Sequence, residues 1–511
     1  MLTAATTAHY EAPSDRVQEK SLVYVVLALI VILPRLAGMY SVDVFDDAFI
    51  TFRYAQNLAT GHGLVFNHGE HVLGTTTPLF AVWLTGAALL GIAIPVAAQL
   101  TGLASDVLTA LLVYRHLSRD FGVFPSVGAV AVFAIDPYVV RVGVGGMESS
   151  LFVALSVLTI TLILEKKTDI AFLVASVSVY VRPEAGLLWL TSLLALTFSH
   201  HRIDSRVRLW IIVGLIVAVA PLGLIYFYYG SVMPQSIASK ARMPKETLAE
   251  VVRVFFFPGG SMAQSVLTLL APLGLATAWR RSKFVRFSSM WAGLYFLAYV
   301  VARPQTWTWY ALPVYAVTAT LAGLGLALVA QRWASSCCQS SRQALIGAVG
   351  LSVCCALGMA LWVGESPVRK HVFEPLRTWC AANTTGRETI AAGDVGAIGY
   401  YCNATIYDLA GLVWPDKHQF LSHLDVIAAK QPDYIFAEES SYWESLFDSR
   451  SDLRRQYQPL MRLSKSGRSD IGVLPGELAT RWQQDYVLFG RLPGRPGATD
   501  TNTGNPARSS R

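Results

Sequence analysis

Charge is what this sequence has least of. Only 15% of its 511 residues are Asp, Glu, Lys or Arg, where a soluble domain usually carries about 25%, and 53% are hydrophobic. A chain so poor in charge cannot clothe a water-facing surface of its own size. Soluble-type repeats and heptads are absent, and so is a cleavable signal. Met1 to Lys20 is polar with both signs, and the apolar run behind it meets acidic sequence before any small-residue cleavage site. Ser21–Met39 therefore reads as an uncleaved first span. The net charge of +7 carries no nucleic-acid signal in such a chain, because basic residues of membrane proteins mark cytoplasmic loops.

What is present is a series of apolar runs long enough to cross a bilayer, about 17–25 residues each. After the first, the candidate spans are Pro95–Tyr114, Phe121–Val140, Ser149–Leu164, Ile170–Val181, Ala185–Phe198, Leu209–Tyr229, Ser261–Trp279, Phe287–Ala302, Tyr310–Ala330 and Ala344–Val363. Eleven spans with a cytoplasmic N-terminus put the C-terminal region outside. The basic clusters agree: Arg115 and Arg119, Lys166 and Lys167, Arg202 to Arg208, Arg280 to Arg286, then Arg332 and Arg342 fall in alternate loops. Pro78–Ile94 is apolar too, but a span there would invert every later loop, so it is expected to lie in or near the outer interface. Outside the bundle lie loops 40–77 and 230–260 and a C-terminal region, 364–493, in which Thr389–Ala392, Thr405–Asp408 and Pro432–Phe436 read as strands of a small α/β domain. The segment 494–511 has the composition of a disordered tail. Cys337, Cys338, Cys354 and Cys355 read as inert. Cys380 and Cys402 share the C-terminal region, where an extracytoplasmic setting permits a disulfide.

The sharpest local signal follows the first span, in Asp43-Val44-Phe45-Asp46-Asp47-Ala48-Phe49-Ile50-Thr51-Phe52-Arg53-Tyr54. Carboxylates at membrane depth are expensive, and capping a helix accounts for one Asp but not for an adjacent pair. His62, His68 and His71 come next, in no metal-ligand spacing.

Read in order, several elements resemble the GT-C glycosyltransferases, nearest the branch that includes the mycobacterial arabinofuranosyltransferase AftB. They are Asp46-Asp47-Ala48-Phe49-Ile50 with Arg53-Tyr54, Gly61-His62-Gly63-Leu64-Val65-Phe66-Asn67, Thr77-Pro78-Leu79, Gly145-Gly146-Met147-Glu148-Ser149 and Val181-Arg182-Pro183-Glu184. Tyr228-Tyr229-Gly230 with Ser239-Lys240, Gly393 to Tyr400, and Asp408 to Val413 complete the set. His68 and His71 stand where that family carries Pro and Arg, and Trp309-Tyr310 where an Arg-bearing element often precedes Pro313.

The resemblance implies an all-α polytopic membrane domain over 21–363, preceded by a cytoplasmic segment, 1–20, and followed by the extracytoplasmic α/β domain. It implies inverting transfer of a sugar, arabinofuranose in the nearest branch, from a polyprenyl-phosphate donor to a glycan or lipid acceptor. The site would face the periplasm or exterior of a bacterial inner membrane. Asp46 is the expected base and Asp47 its partner, positioning the acceptor or a divalent cation if one is used; no other cofactor is implied. Arg53, Glu148, Arg182, Glu184, Lys240, Trp309 and Tyr310 are the expected substrate contacts. The Gly393-Asp394-Val395-Gly396 run lacks the G-x-G-x-x-G form of a nucleotide site. A transporter or lipid flippase shares the hydropathy, but such proteins commonly show matched half-repeats with paired broken helices, and this sequence has no such symmetry.

Overall fold

A computed structural model describes residues 13–198, 205–333, 341–438, 450–463 and 486–492. The chain is a multi-pass bundle of apolar helices with a small sheet domain at one end. The bundle comprises α1 (Pro13–Ser41), α4 (Ile94–Phe121), α5 (Val123–Ile135), α6 (Pro137–Val144), α7 (Ser149–Leu164), α8 (Thr168–Ser178), α9 (Gly186–Phe198), α10 (Ser205–Tyr229), α13 (Met262–Ala278), α14 (Lys283–Ala302), α15 (Leu312–Trp333) and α16 (Ser341–Gly358). Five of the described helices are long and apolar enough to cross a membrane unaided, and α5 with α6 makes a bent sixth. Each expected span thus has its helix, but several are short.

One span needs correction. Phe121–Val140 is not a single helix: it breaks at Asp136-Pro137, and the two halves meet at 60°. Pro137 lacks the N–H that would continue α5 and disfavours helical geometry in the residue before it. Asp136 then caps the new helix, accepting from the N–H groups of Tyr138 at 2.9 Å and Val139 at 3.1 Å. The bend sends α6 towards the end of the bundle where the sheet domain sits. Within the bundle, Arg35 and Asp106 are fully buried and paired at 3.0 Å, the arrangement a charge needs to persist at membrane depth. Pro78–Ile94 yields α3 (Pro78–Leu89), whose 12 residues are too few for a hydrocarbon core about 30 Å thick. Its buried face, Phe80, Ala81, Leu84 and Thr85, packs on α2 (Asp46–Ala59) and α4, while Trp83 and Leu89 are exposed.

Three of the strands follow the sequence reading: β1 (Thr389–Ala392), β2 (Thr405–Asp408) and β3 (Tyr434–Glu438). Two more, β4 (Tyr457–Leu463) and β5 (Tyr486–Arg491), complete a sheet of order β2-β1-β3-β5-β4, parallel across its first three strands and antiparallel thereafter. β4 escapes sequence reading because it contains Pro459; as the edge strand it tolerates that residue with a register shift beside it. Helices α17 (Glu374–Asn383) and α18 (Gly396–Tyr401) join one face of the sheet to the core of the bundle, and α19 (His423–Lys430) covers the other. Cys380 of α17 and Cys402, just beyond α18, form a disulfide. Cys354 and Cys355 are free thiols. Cys337, Cys338 and the segment 494–511 lie outside the described residues.

Candidate active site

Helix α2 begins directly after α1, with Phe45 as its extended N-cap residue. Phe45 is anchored by its N–H to the Gly145 carbonyl at 2.9 Å and by its ring against Trp309 at 5.0 Å. Asp46 and Asp47 therefore occupy the first turn of a helix whose start is fixed by the bundle. Neither makes a side-chain cap for its own helix. Asp46 instead reaches 350 positions along the chain, accepting from the Gly396 N–H at 2.9 Å and the Ala397 N–H at 2.8 Å, at the first turn of α18. Burial, the nearby Asp394 carboxylate and Asp47 push the Asp46 carboxyl up to about 7, although the two backbone donors favour its anion. Burial raises Asp47 as well, opposed by the Lys240 ammonium.

Behind the acids lies a polar network built from the expected contact residues. Arg182 pairs with Glu148 at 3.0 Å and with Glu184 at 3.2 Å, and its guanidinium also donates to Ser149 at 2.9 Å. Tyr299 donates to Glu184. The Tyr310 ring lies 5.0 Å from the Arg182 guanidinium carbon, and its hydroxyl accepts from Lys240 Nζ at 3.0 Å. Lys240 closes the chain back towards Asp47. The short turn Thr308–Ala311 is tied in where Ser149 donates to the Trp309 carbonyl at 3.2 Å. Glu148 and Arg182 are buried at 4% and 3% exposure and do not line the cavity in front of the acids.

Arg53 is the clear departure from the sequence reading. Its guanidinium is buried and donates to the carbonyls of Phe66, Gly399, Cys402 and Ala404, which leaves it no role in contacting substrate. It pins α2 and its following loop to the C-terminal domain. Asn67 does the same, exchanging two 3.0 Å hydrogen bonds with the Ile406 backbone. His62 and His68 stack on each other at 3.9 Å, and His71 meets Tyr228 edge-on.

In front of the acids is a cavity of about 650 Å³. Asp46, Asp47 and Asp394 line it with two cations, Arg141 from α6 and Arg253 from α12 (Leu248–Phe256). Trp307 and Trp309 form a wall, their rings stacked at 5.7 Å. Val254, Phe257 and Pro258 make an apolar side; α13 contributes Ser265 to the lining and exposes Met262, Val266 and Leu269. Sequence reasoning missed Asp394, Arg141 and Arg253 as site residues. Among the described residues no three His, Cys, Asp or Glu side chains are grouped to hold a metal ion.

Comparison with solved structures bears out the expected GT-C membrane fold. ArnT from Cupriavidus metallidurans in the apo state superposes with a TM-score of 0.61 over 93% of this chain and 98% of that one, at 12% identity. The same protein bound to undecaprenyl phosphate gives 0.59. In sequence, the chain is 28% identical over 266 residues to the terminal beta-(1->2)-arabinofuranosyltransferase of Mycobacterium tuberculosis, and this similarity covers 47% of the chain and 42% of that relative's length. Residues 366–501 match a domain of unknown function, DUF8728.

Proposed function

We propose that this protein is a membrane glycosyltransferase that moves a sugar from a polyprenyl-phosphate donor to a glycan or lipid acceptor with inversion at the anomeric carbon. The observation that carries the reading is one cavity lined by an acid pair, two guanidinium groups and an apolar side. A lipid-borne sugar phosphate needs those three things together. The acceptor hydroxyl oxygen attacks the anomeric carbon while its proton passes to Asp46, whose raised pKa suits a general base near neutral pH. The bond from anomeric carbon to phosphate oxygen breaks, and its electron pair leaves with the polyprenyl phosphate. Arg141 and Arg253 meet that growing charge from the cavity wall. Asp47, balanced by Lys240, orients the acceptor, and the Trp307–Trp309 stack offers a face for sugar.

Arabinofuranose is the sugar suggested by the activity of the mycobacterial relative. The positive-inside pattern supports a site and a C-terminal domain that face outward, and the family resemblance supports a bacterial inner membrane. The test is transfer by purified protein from radiolabelled polyprenyl-phosphate arabinofuranose to an arabinan oligosaccharide. Asp46→Asn is expected to lose about 10²–10⁴-fold in rate, and Arg253→Gln to raise the KM for donor. Full activity in both Asp46→Asn and Asp47→Asn would sink the assignment.

A further inference from the structure

We propose that the C-terminal domain is a working part of the catalytic centre, orienting both acids of the pair through two separate contacts. The idea rests on the transferase reading above and gives the domain of unknown function at 366–501 a task within it.

The first contact is direct. The Asp46 carboxylate is held by two N–H groups of α18, one on each oxygen. Fixing both oxygens sets the carboxylate plane, and with it the lone pair left to receive a proton. The approach is so close that only glycine fits at 396: a Cβ there would lie 1.8 Å from the Asp46 carbonyl oxygen and 2.6 Å from its Oδ2.

The second contact acts on Asp47 through its counter-charge. Lys240 ends the short helix α11 (Gln235–Lys240). Its neighbour Ser239 is buried and donates to the Gly411 carbonyl, leaving its oxygen to accept from His418 Nε2 at 2.9 Å. Gln235 adds a bond to the same carbonyl at 3.1 Å. The turn that presents Gly411 is stiff: the fully buried Asp408 carboxylate accepts from the N–H groups of Ala410, Gly411 and Val413, and Gly411 itself is left-handed at φ +73°. Lys240 is thereby set against Asp47 by a turn some 170 positions away. Arg53 and Asn67, which tie α2 and its loop to the same domain, serve the same docking. An appended binding module needs no such grip on catalytic carboxylates.

The experiment uses the full chain in detergent. Gly396→Ala is compared with Gly393→Ala, whose new methyl enters open space, and Ser239→Ala and His418→Ala with His418→Gln, which can still donate. Three quantities are read: kcat and KM for radiolabelled polyprenyl-phosphate arabinofuranose, thermal unfolding, and the pH midpoint of carbodiimide labelling at Asp46 by peptide mass spectrometry. Labelling needs no turnover. Gly396→Ala is expected to lower kcat by ~100-fold, the cost of displacing a reacting group by about 1 Å, with KM held and the labelling midpoint moved; its unfolding temperature falls as the backbone gives way, with the chain still folded at the assay temperature. Ser239→Ala and His418→Ala lower kcat, and His418→Gln restores it. The proposal is overturned if Gly396→Ala keeps the wild-type labelling midpoint, or if every loss of kcat tracks a loss of folded protein. A wild type that transfers no sugar refutes the transferase reading alone, and the labelling midpoint still decides whether the domain governs Asp46.

Discussion

A base whose pKa lies near 7 writes its own pH profile. Asp46 is held up to about 7 by burial, by Asp394 and by Asp47. Its ionised fraction therefore falls about tenfold between pH 8 and pH 6, and the chemical step falls with it. A carboxylate at its ordinary value of 3.8 stays ionised at both, and the rate is flat. Asp394→Asn separates the causes. The amide oxygen can keep accepting from the Tyr486 hydroxyl, now 2.7 Å away, so the geometry survives while the repelling charge goes. The midpoint should move down and the gap between pH 6 and pH 8 should narrow. Single-turnover transfer of the labelled sugar isolates the chemical step from product release. A flat wild-type profile from pH 6 to pH 8, or an unmoved midpoint in Asp394→Asn, refutes the reasoning. The same shift has a stability signature. With the folded-state pKa raised, the folded chain binds more protons than the unfolded one between pH 3.8 and about 7. Stability from this group is therefore lost as pH rises through that window, by at most ~1.4 kcal/mol per unit. Thermal unfolding of wild type should decline towards pH 8 relative to Asp46→Asn.

Two further outcomes concern the support around the acids. Arg182→Leu leaves Glu148 and Glu184 without their cation and should cost about 3–5 kcal/mol, read as a drop in unfolding temperature. Neutralising all three, with Glu148→Gln, Arg182→Met and Glu184→Gln, should recover stability without recovering transfer. The Cys380–Cys402 bond closes a loop of 22 positions, worth about 3 kcal/mol by loop-closure entropy. Unfolding monitored with and without reductant checks this, and an unchanged transition temperature denies the bond that contribution.

Reading the chain by itself determined a good deal. Each apolar run read as a span has its helix, because a bilayer imposes a similar apolar length on every crossing. β1, β2 and β3 follow from short hydrophobic runs, and the acidic pair stands out because charge beside a span is costly. The break at Asp136-Pro137, which the reading of Phe121–Val140 as one span missed, was nonetheless written locally, in a residue pair that does not readily continue a helix.

Only the tertiary structure decided what the acids touch. Asp46 is not a cap for its own helix but is itself gripped by Gly396 and Ala397, and Arg53 is spent on the carbonyl of Phe66 and those of a single segment about 350 positions away. Arg141, Arg253 and Asp394 come together from the bent half of a span, an outer loop and the sheet domain. Hydropathy and periodicity are properties of neighbouring residues. A carboxylate's pKa, its donors and its cavity belong to groups hundreds of positions apart, and these meet only when the bundle and the sheet pack against each other.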